Sequence, residues 1–211
     1  MKALILPLAL ALLGFGAGFG VRLLSVRLAR IEELEPGRAG WQLAGPPVVT
    51  AALFFAFGYG TGWTAVDLVL RLLFAAVFVQ VIFFDLEHRL ILDWITYPAL
   101  ALALLVSVFH SPWWAGLASG IAFGGALLLL GLVGSSLLKE DALGLGDVKL
   151  ATLIGLLLGP LGTVEAAALG FAAAGVVAIS VAIWRRSLQG SLALGPFLAA
   201  GALVALYGLA P

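Results

Sequence analysis

The sequence predicts an all-α integral membrane protein, a helix bundle of about eight spans, and three observations lead there. Of its 211 residues, 63% are hydrophobic and 10% are charged, whereas soluble domains carry about a quarter charged residues. The apolar residues fall in long blocks separated by short polar breaks, and a bilayer core asks about 17 to 25 such residues of a helix. The strict alternation of a membrane β-barrel is missing. Finally, the basic residues gather in every second break, the asymmetry that orients a polytopic chain.

The first span is read at 3–24. Its start, "MKALILPLALALLGFGAG", has the look of a secretory signal, but the apolar run continues to Leu24 and Arg22, Arg27 and Arg30 follow it, so it is read as retained. Residues 25–46 form a short polar connection whose "IEELEPGRAG" contains the breakers Pro36 and Gly37. Spans are then expected at 47–63 and 65–84, the latter holding Asp67 and Arg71 four residues apart, read as a local ion pair. Gln80 lies one turn from the inner end of that span, lining a polar cavity or packing on a neighbour. The fourth span covers 94–109, followed by His110 and the interfacial anchors Trp113 and Trp114. The remaining spans are expected at 115–138, 148–159, 162–184 (Glu165 at its outer end) and 195–210, all in one domain, 1–211. Glycines four apart at Gly14/Gly18, Gly16/Gly20, Gly120/Gly124 and Gly155/Gly159 let helices approach closely in lipid.

The connections test the count. Arg22, Arg27, Arg30 and Arg38 belong to the first, Arg89 to the third, Lys139 and Lys149 to the fifth, and Arg185 and Arg186 to the seventh. Nine of the eleven basic residues thus fall on one side, with Lys2 on the other and Arg71 inside a span. The odd-numbered connections are therefore expected in the cytoplasm and both termini outside. With no cysteine there is no disulfide framework and no thiolate zinc site, so a metal would need carboxylate or histidine ligands. Nothing points to nucleic acid.

The acids collect at the cytoplasmic edge. "FFDLEHRLILDWITYP" holds Asp85, Glu87, His88, Arg89 and Asp93, and "KEDALGLGDVKLA" holds Glu140, Asp141, Asp147 and Lys149. The topology brings Asp85 and Asp147 to one side at similar depth, either as an acid/base pair or as ordinary interfacial charges. Gly144 and Gly146 remove side chains around Asp147 and permit unusual backbone angles, which suits an enzyme that lays a peptide beside its carboxylate. Lys149 is read as binding either the carboxylates' charge or a lipid phosphate. Glu32, Glu33 and Glu35 are read as a solvated run or as an attractor for a basic peptide.

Together these segments resemble the type IV prepilin peptidases, membrane aspartyl proteases of the GxGD class. The likeness lies in "FFDLEHRLILDWITYP", in "GLGDVKLATLIGLLLG" with its Gly-x-Gly-Asp-x-Lys pattern, and in "LALGPFLAAG" at the start of the last span. The resemblance implies that Asp85 and Asp147 are catalytic, with Gly144, Gly146, Lys149, Asp93, Gly195 and Pro196 supporting or binding substrate. It implies cleavage of the basic leader from prepilins and pseudopilins, after a glycine, at the cytoplasmic face of the bacterial inner membrane, with water and no cofactor. Bifunctional members also methylate the new amino terminus with S-adenosylmethionine. The cysteine-rich insert of long members is missing here, and Arg22 and Leu23 stand where polar residues are expected, both of which count against that second activity. Leu92 replaces the proline expected before Asp93.

Two carboxylates sharing one proton can hydrolyse a peptide without a covalent intermediate. Helix polarity makes Asp147, at an amino terminus, the expected base and Asp85, at a carboxyl end, the expected acid. The competing readings are a small transporter with Asp85, Glu87, His88 and Asp147 as a coupling or metal site, and a structural scaffold; transport sites usually lie nearer the midplane, within repeated halves.

Overall fold

The computed structural model describes residues 2–60, 62–109, 112–138, 143–185 and 193–208. These residues are helical apart from short connections and include no strand. The helices are α1 (Lys2–Ile31), α2 (Gly40–Tyr59), α3 (Ala65–His88), α4 (Asp93–Phe109), α5 (Trp114–Leu138), α6 (Leu145–Arg185) and α7 (Gly195–Gly208). Five of them are long and apolar enough to cross a bilayer, and α4 and α7 are shorter apolar helices. The protein is an all-α, multi-pass membrane protein. His110, Lys139, Glu140, Asp141 and Arg186, singled out in the sequence, lie outside the described residues.

The expected spans at 148–159 and 162–184 run together as α6, broken at Gly159. Gly159 has φ 64° and ψ −170°, a conformation open almost only to glycine, and Pro160 follows it. A residue before proline is already pushed out of the α region, so the break has a local cause. The Thr163 hydroxyl donates to the Gly159 carbonyl, four residues back, at 2.5 Å. Seven helices with one broken in two therefore correspond to the eight segments expected.

The polar connection is shorter than the expected 25–46. Residues 25–31, "SVRLARI", are mostly good helix formers, so α1 continues past the end of its apolar block. Gly40 opens α2 seven residues before the apolar run, and Trp41 stacks on Phe83 with ring centroids 6.3 Å apart. Only residues 32–39 remain non-helical between the two helices.

The chain divides into two compact units, Met1–Arg89 and Leu90–Leu209. In the first, α1 packs along α2 and both meet α3. A Cβ on Gly14 would lie 2.7 Å from the Thr50 carbonyl oxygen, and Gly18 lies as close against Pro46 and Pro47. Gly16 and Gly20 face open space. Of the two overlapping glycine pairs on α1, one packs and the other does not. Phe57, Phe74, Phe78 and Phe84 fill the interior of this unit. Thr64 caps α3: the Asp67 N–H donates to its hydroxyl oxygen at 3.2 Å, and the Asp67 carboxylate accepts from the Thr64 N–H and hydroxyl. Arg71 lies over the Trp63 ring, 4.7 Å from its centroid.

In the second unit α6 packs against α4, α5 and α7. Its first half meets α5 where Gly155 faces Gly120, and a Cβ on Gly155 would come within 2.5 Å of the Gly120 backbone. Its second half meets α7 through Ala166 and Gly170 against Gly201. Leu150, Leu153, Ile154 and Leu198 are fully buried there. Outward-facing apolar side chains such as Leu12, Ile121, Ile183 and Trp184 remain exposed, as lipid contact requires.

Candidate active site

In the first unit the site is built on the end of α3. Phe78, Val79, Val81 and Phe84 are buried around the last turns, and Asp85 is buried with them at 5% exposure. The helix stops because Arg89 takes a left-handed conformation, φ 54° and ψ 40°, and its N–H donates to the Asp85 carbonyl at 2.8 Å. The Phe84 and His88 rings touch, centroids 4.7 Å apart. Glu87 makes an ion pair with Arg22 of α1 at 3.0 Å, and the two side chains are 5% and 9% exposed. The Gly37 N–H donates to the other Glu87 oxygen, and the Arg22 guanidinium donates to the Gly37 carbonyl. The His88 ring stands 3.2 Å from Glu87 Oε1. Two turns before Glu87, the Gln80 amide donates to the Ser25 hydroxyl at 2.8 Å, and Ser25 donates to the Val21 carbonyl. Gln80 thus packs α3 on α1, and its own oxygen has no partner.

In the second unit Asp147 lies in the first turn of α6, half-buried, and its N–H donates to the Gly144 carbonyl at 3.1 Å. An acid in a first turn complements the helix dipole. Neither Gly144 nor Gly146 has a positive φ, so the expected unusual backbone angles are not what these glycines provide. Gly146 matters for space: a Cβ there would stand 2.9 Å from Ile91 Cβ. The connection between α3 and α4 therefore lies against the start of α6 only because position 146 has no side chain. Gly144 is open, with Asp147 Oδ2 at 3.6 Å from its notional Cβ.

Asp93 opens α4, and its carboxylate accepts from the Lys149 ammonium at 2.5 Å. The same ammonium lies 4.8 Å from the centroid of Tyr97. Lys149, which the sequence left between carboxylate charge and lipid phosphate, is paired within its own unit, and Asp93 is its partner. Gly195 and Pro196 open α7 and are buried; proline is tolerated in a first turn because its missing N–H has no helical acceptor.

Among the predicted residues, Asp93 and Lys149 meet directly, and Gly146 brings in Ile91, a neighbour the sequence did not single out. The pairing of Arg22 with Glu87 was also missed. Its signal was present: an arginine within an apolar helix must find an acid at its own depth. Among the described residues no three histidine, aspartate or glutamate side chains cluster as a metal cage.

Searches of curated proteins and of solved structures found no match. A profile of the type IV leader peptidase family does match, over residues 72–183, more than half of the chain. That stretch contains Asp85, Asp93, Gly144, Gly146, Asp147 and Lys149 and leaves out α1, α2 and α7. By this match, spanning both aspartate segments, the chain belongs to the type IV leader peptidase family.

Proposed function

We propose that this protein is an aspartyl endopeptidase that removes the basic leader from type IV prepilins and pseudopilins at the cytoplasmic face of the bacterial inner membrane. The observation that carries the reading is the family match, which takes in Asp85 and Asp147 together with the glycines around the second. Burial of Asp85 in the last turn of α3 and of part of Asp147 in the first turn of α6 agrees with carboxylates held for chemistry. In the reaction one carboxylate takes a proton from water while the other, protonated, donates a hydrogen bond to the scissile carbonyl. The water oxygen bonds to the carbonyl carbon, the carbon–nitrogen bond breaks, and the leaving amine takes up a proton. Gly144, Gly146, Gly195 and Pro196 shape the surroundings, and the Lys149–Asp93 pair holds the start of α6 against α4. The exposed acids Glu32, Glu33 and Glu35 attract the leader's basic residues.

The test is incubation of the purified protein, in detergent or lipid, with a synthetic prepilin beside Asp85→Asn and Asp147→Asn variants. Intact masses should show cleavage at the leader junction by the parent and by neither variant. Activity in either variant would remove that residue from the pair, and no cleavage by a folded parent would end the peptidase reading. We do not assign methyl transfer. The same incubation with S-adenosylmethionine checks this, since an added methyl mass on the product would reverse the assignment.

A further inference from the structure

We propose that Glu87 is a positioning residue for Asp85, acting through a buried latch that ties the α1–α2 connection to the last turn of α3. The inference rests on the reading of Asp85 as a reacting carboxylate. Three residues from three parts of the first unit close a ring: Arg22 from α1, Gly37 from the connection and Glu87 from α3. Both Glu87 oxygens are engaged, one by the Arg22 guanidinium and one by the Gly37 N–H, and Gly37 uses its carbonyl as well. With 5% of its side chain exposed, Glu87 is not placed to receive a cation of the substrate.

A buried ion pair is a poor source of stability, because taking two charges from water costs about as much as their attraction returns. What it supplies is geometry, since the guanidinium's fork fixes direction as well as distance. That geometry is delivered to one helical turn. Glu87 is two residues from Asp85. On the same turn Phe84 is buried and holds the His88 ring, and the Arg89 N–H closes the helix on the Asp85 carbonyl. A shift of Asp85 along or around α3 therefore breaks the Arg22–Gly37–Glu87 ring. Arg22, a charge within the apolar helix α1, has a task here.

The test compares the full-length parent with Glu87→Gln and Arg22→Lys on a synthetic prepilin, together with hydrogen exchange of the peptide covering 32–39. Glu87→Gln keeps size and an acceptor for Gly37 but loses the charge that holds Arg22; Arg22→Lys keeps the charge but cannot serve two acceptors through one planar fork. For Glu87→Gln we expect kcat to fall by about 10- to 100-fold with KM within about threefold, because displacements near 1 Å are costly in rate. Arg22→Lys should fall between this and the parent. Exchange in 32–39 should quicken in both, and both should stay folded at the assay temperature. A rise in KM at constant kcat, an unchanged kcat, or unchanged exchange would each overturn the latch. If Glu87→Gln does not fold, Arg22→Lys decides by the same criteria. A folded parent that cleaves no prepilin would end the peptidase reading and this inference with it. An active parent with an equally active Glu87→Gln would end the latch alone.

Discussion

Placing a methyl group at Gly146 separates activity from stability. The Cβ of Gly146→Ala would stand 2.9 Å from Ile91 Cβ and 3.4 and 3.5 Å from its Cγ1 and Cδ1. Non-bonded carbons rest at about 3.5 to 4.0 Å, so the chain at Ile91 must withdraw by roughly 0.6 to 1 Å. Ile91 and its chain neighbour Leu92 are both buried, leaving little room for retreat. Overpacking of this size costs about 1 to 3 kcal/mol. The gain in helix propensity from glycine to alanine offsets up to about 1 kcal/mol of that. The net loss of stability is then about 0 to 3 kcal/mol. The same displacement acts one residue from Asp147, where misplacement near 1 Å is expected to cost about 100-fold in rate. The assay is kcat on a synthetic prepilin with a thermal unfolding curve for each variant. Adding Ile91→Gly removes the atom that is met and should restore part of the rate. A Gly146→Ala protein as fast as the parent, or a double variant no faster than the single one, would refute the argument.

Four further outcomes follow from the geometry. Gly159→Ala forces a side chain into the φ 64°, ψ −170° conformation and should destabilise by about 1 to 3 kcal/mol in thermal unfolding. Asp93→Asn and Lys149→Gln, combined in a double-mutant cycle, should show coupling of no more than about 1 kcal/mol, because this pair is partly open to solvent. Thr64→Val removes the cap of α3 and should cost about 1 kcal/mol, read by the same unfolding method. Reversing Glu32, Glu33 and Glu35 to lysine should raise KM for a basic leader while leaving kcat near the parent value, measured by steady-state kinetics at low salt.

Membrane character and helix number were legible because the bilayer imposes length and apolarity on each span separately, so each could be counted without knowing its neighbours. The α6 break was legible for the same reason: Gly159 and Pro160 are adjacent in sequence, and their effect is local. The α1 boundary was misplaced because hydropathy reports where lipid ends, whereas "SVRLARI" keeps helix propensity beyond it. Gly14 and Gly16 show another limit: both begin a small-residue pair four apart, yet only Gly14 meets a neighbour, because the facing side of α1 is set by where Pro47 and Phe54 of α2 arrive. Around the aspartates, residue types could be named but partners could not. Gly146 needed Ile91 to explain it, and Lys149 needed Asp93, fifty-six residues away. Arg22 and Glu87 lie sixty-five residues apart, and a pairing at that separation is decided by helix packing.

The joint at Gly159 and Pro160 has a mechanical meaning. A continuous helix behaves as a shaft, passing torque and tilt from one end to the other through its hydrogen-bond ladder. Here the ladder is interrupted, since Pro160 brings no N–H and Gly159 leaves the helical conformation. The half after the joint is gripped by α7 at Gly170 and Gly201, while the half before it is seated on α5 at Gly120 and Gly124 through Gly155 and Thr152. The grip of α7 and the seat on α5 thus lie on opposite sides of the joint, and the first turn that carries Asp147 belongs to the half that α5 and the Ile91 contact hold.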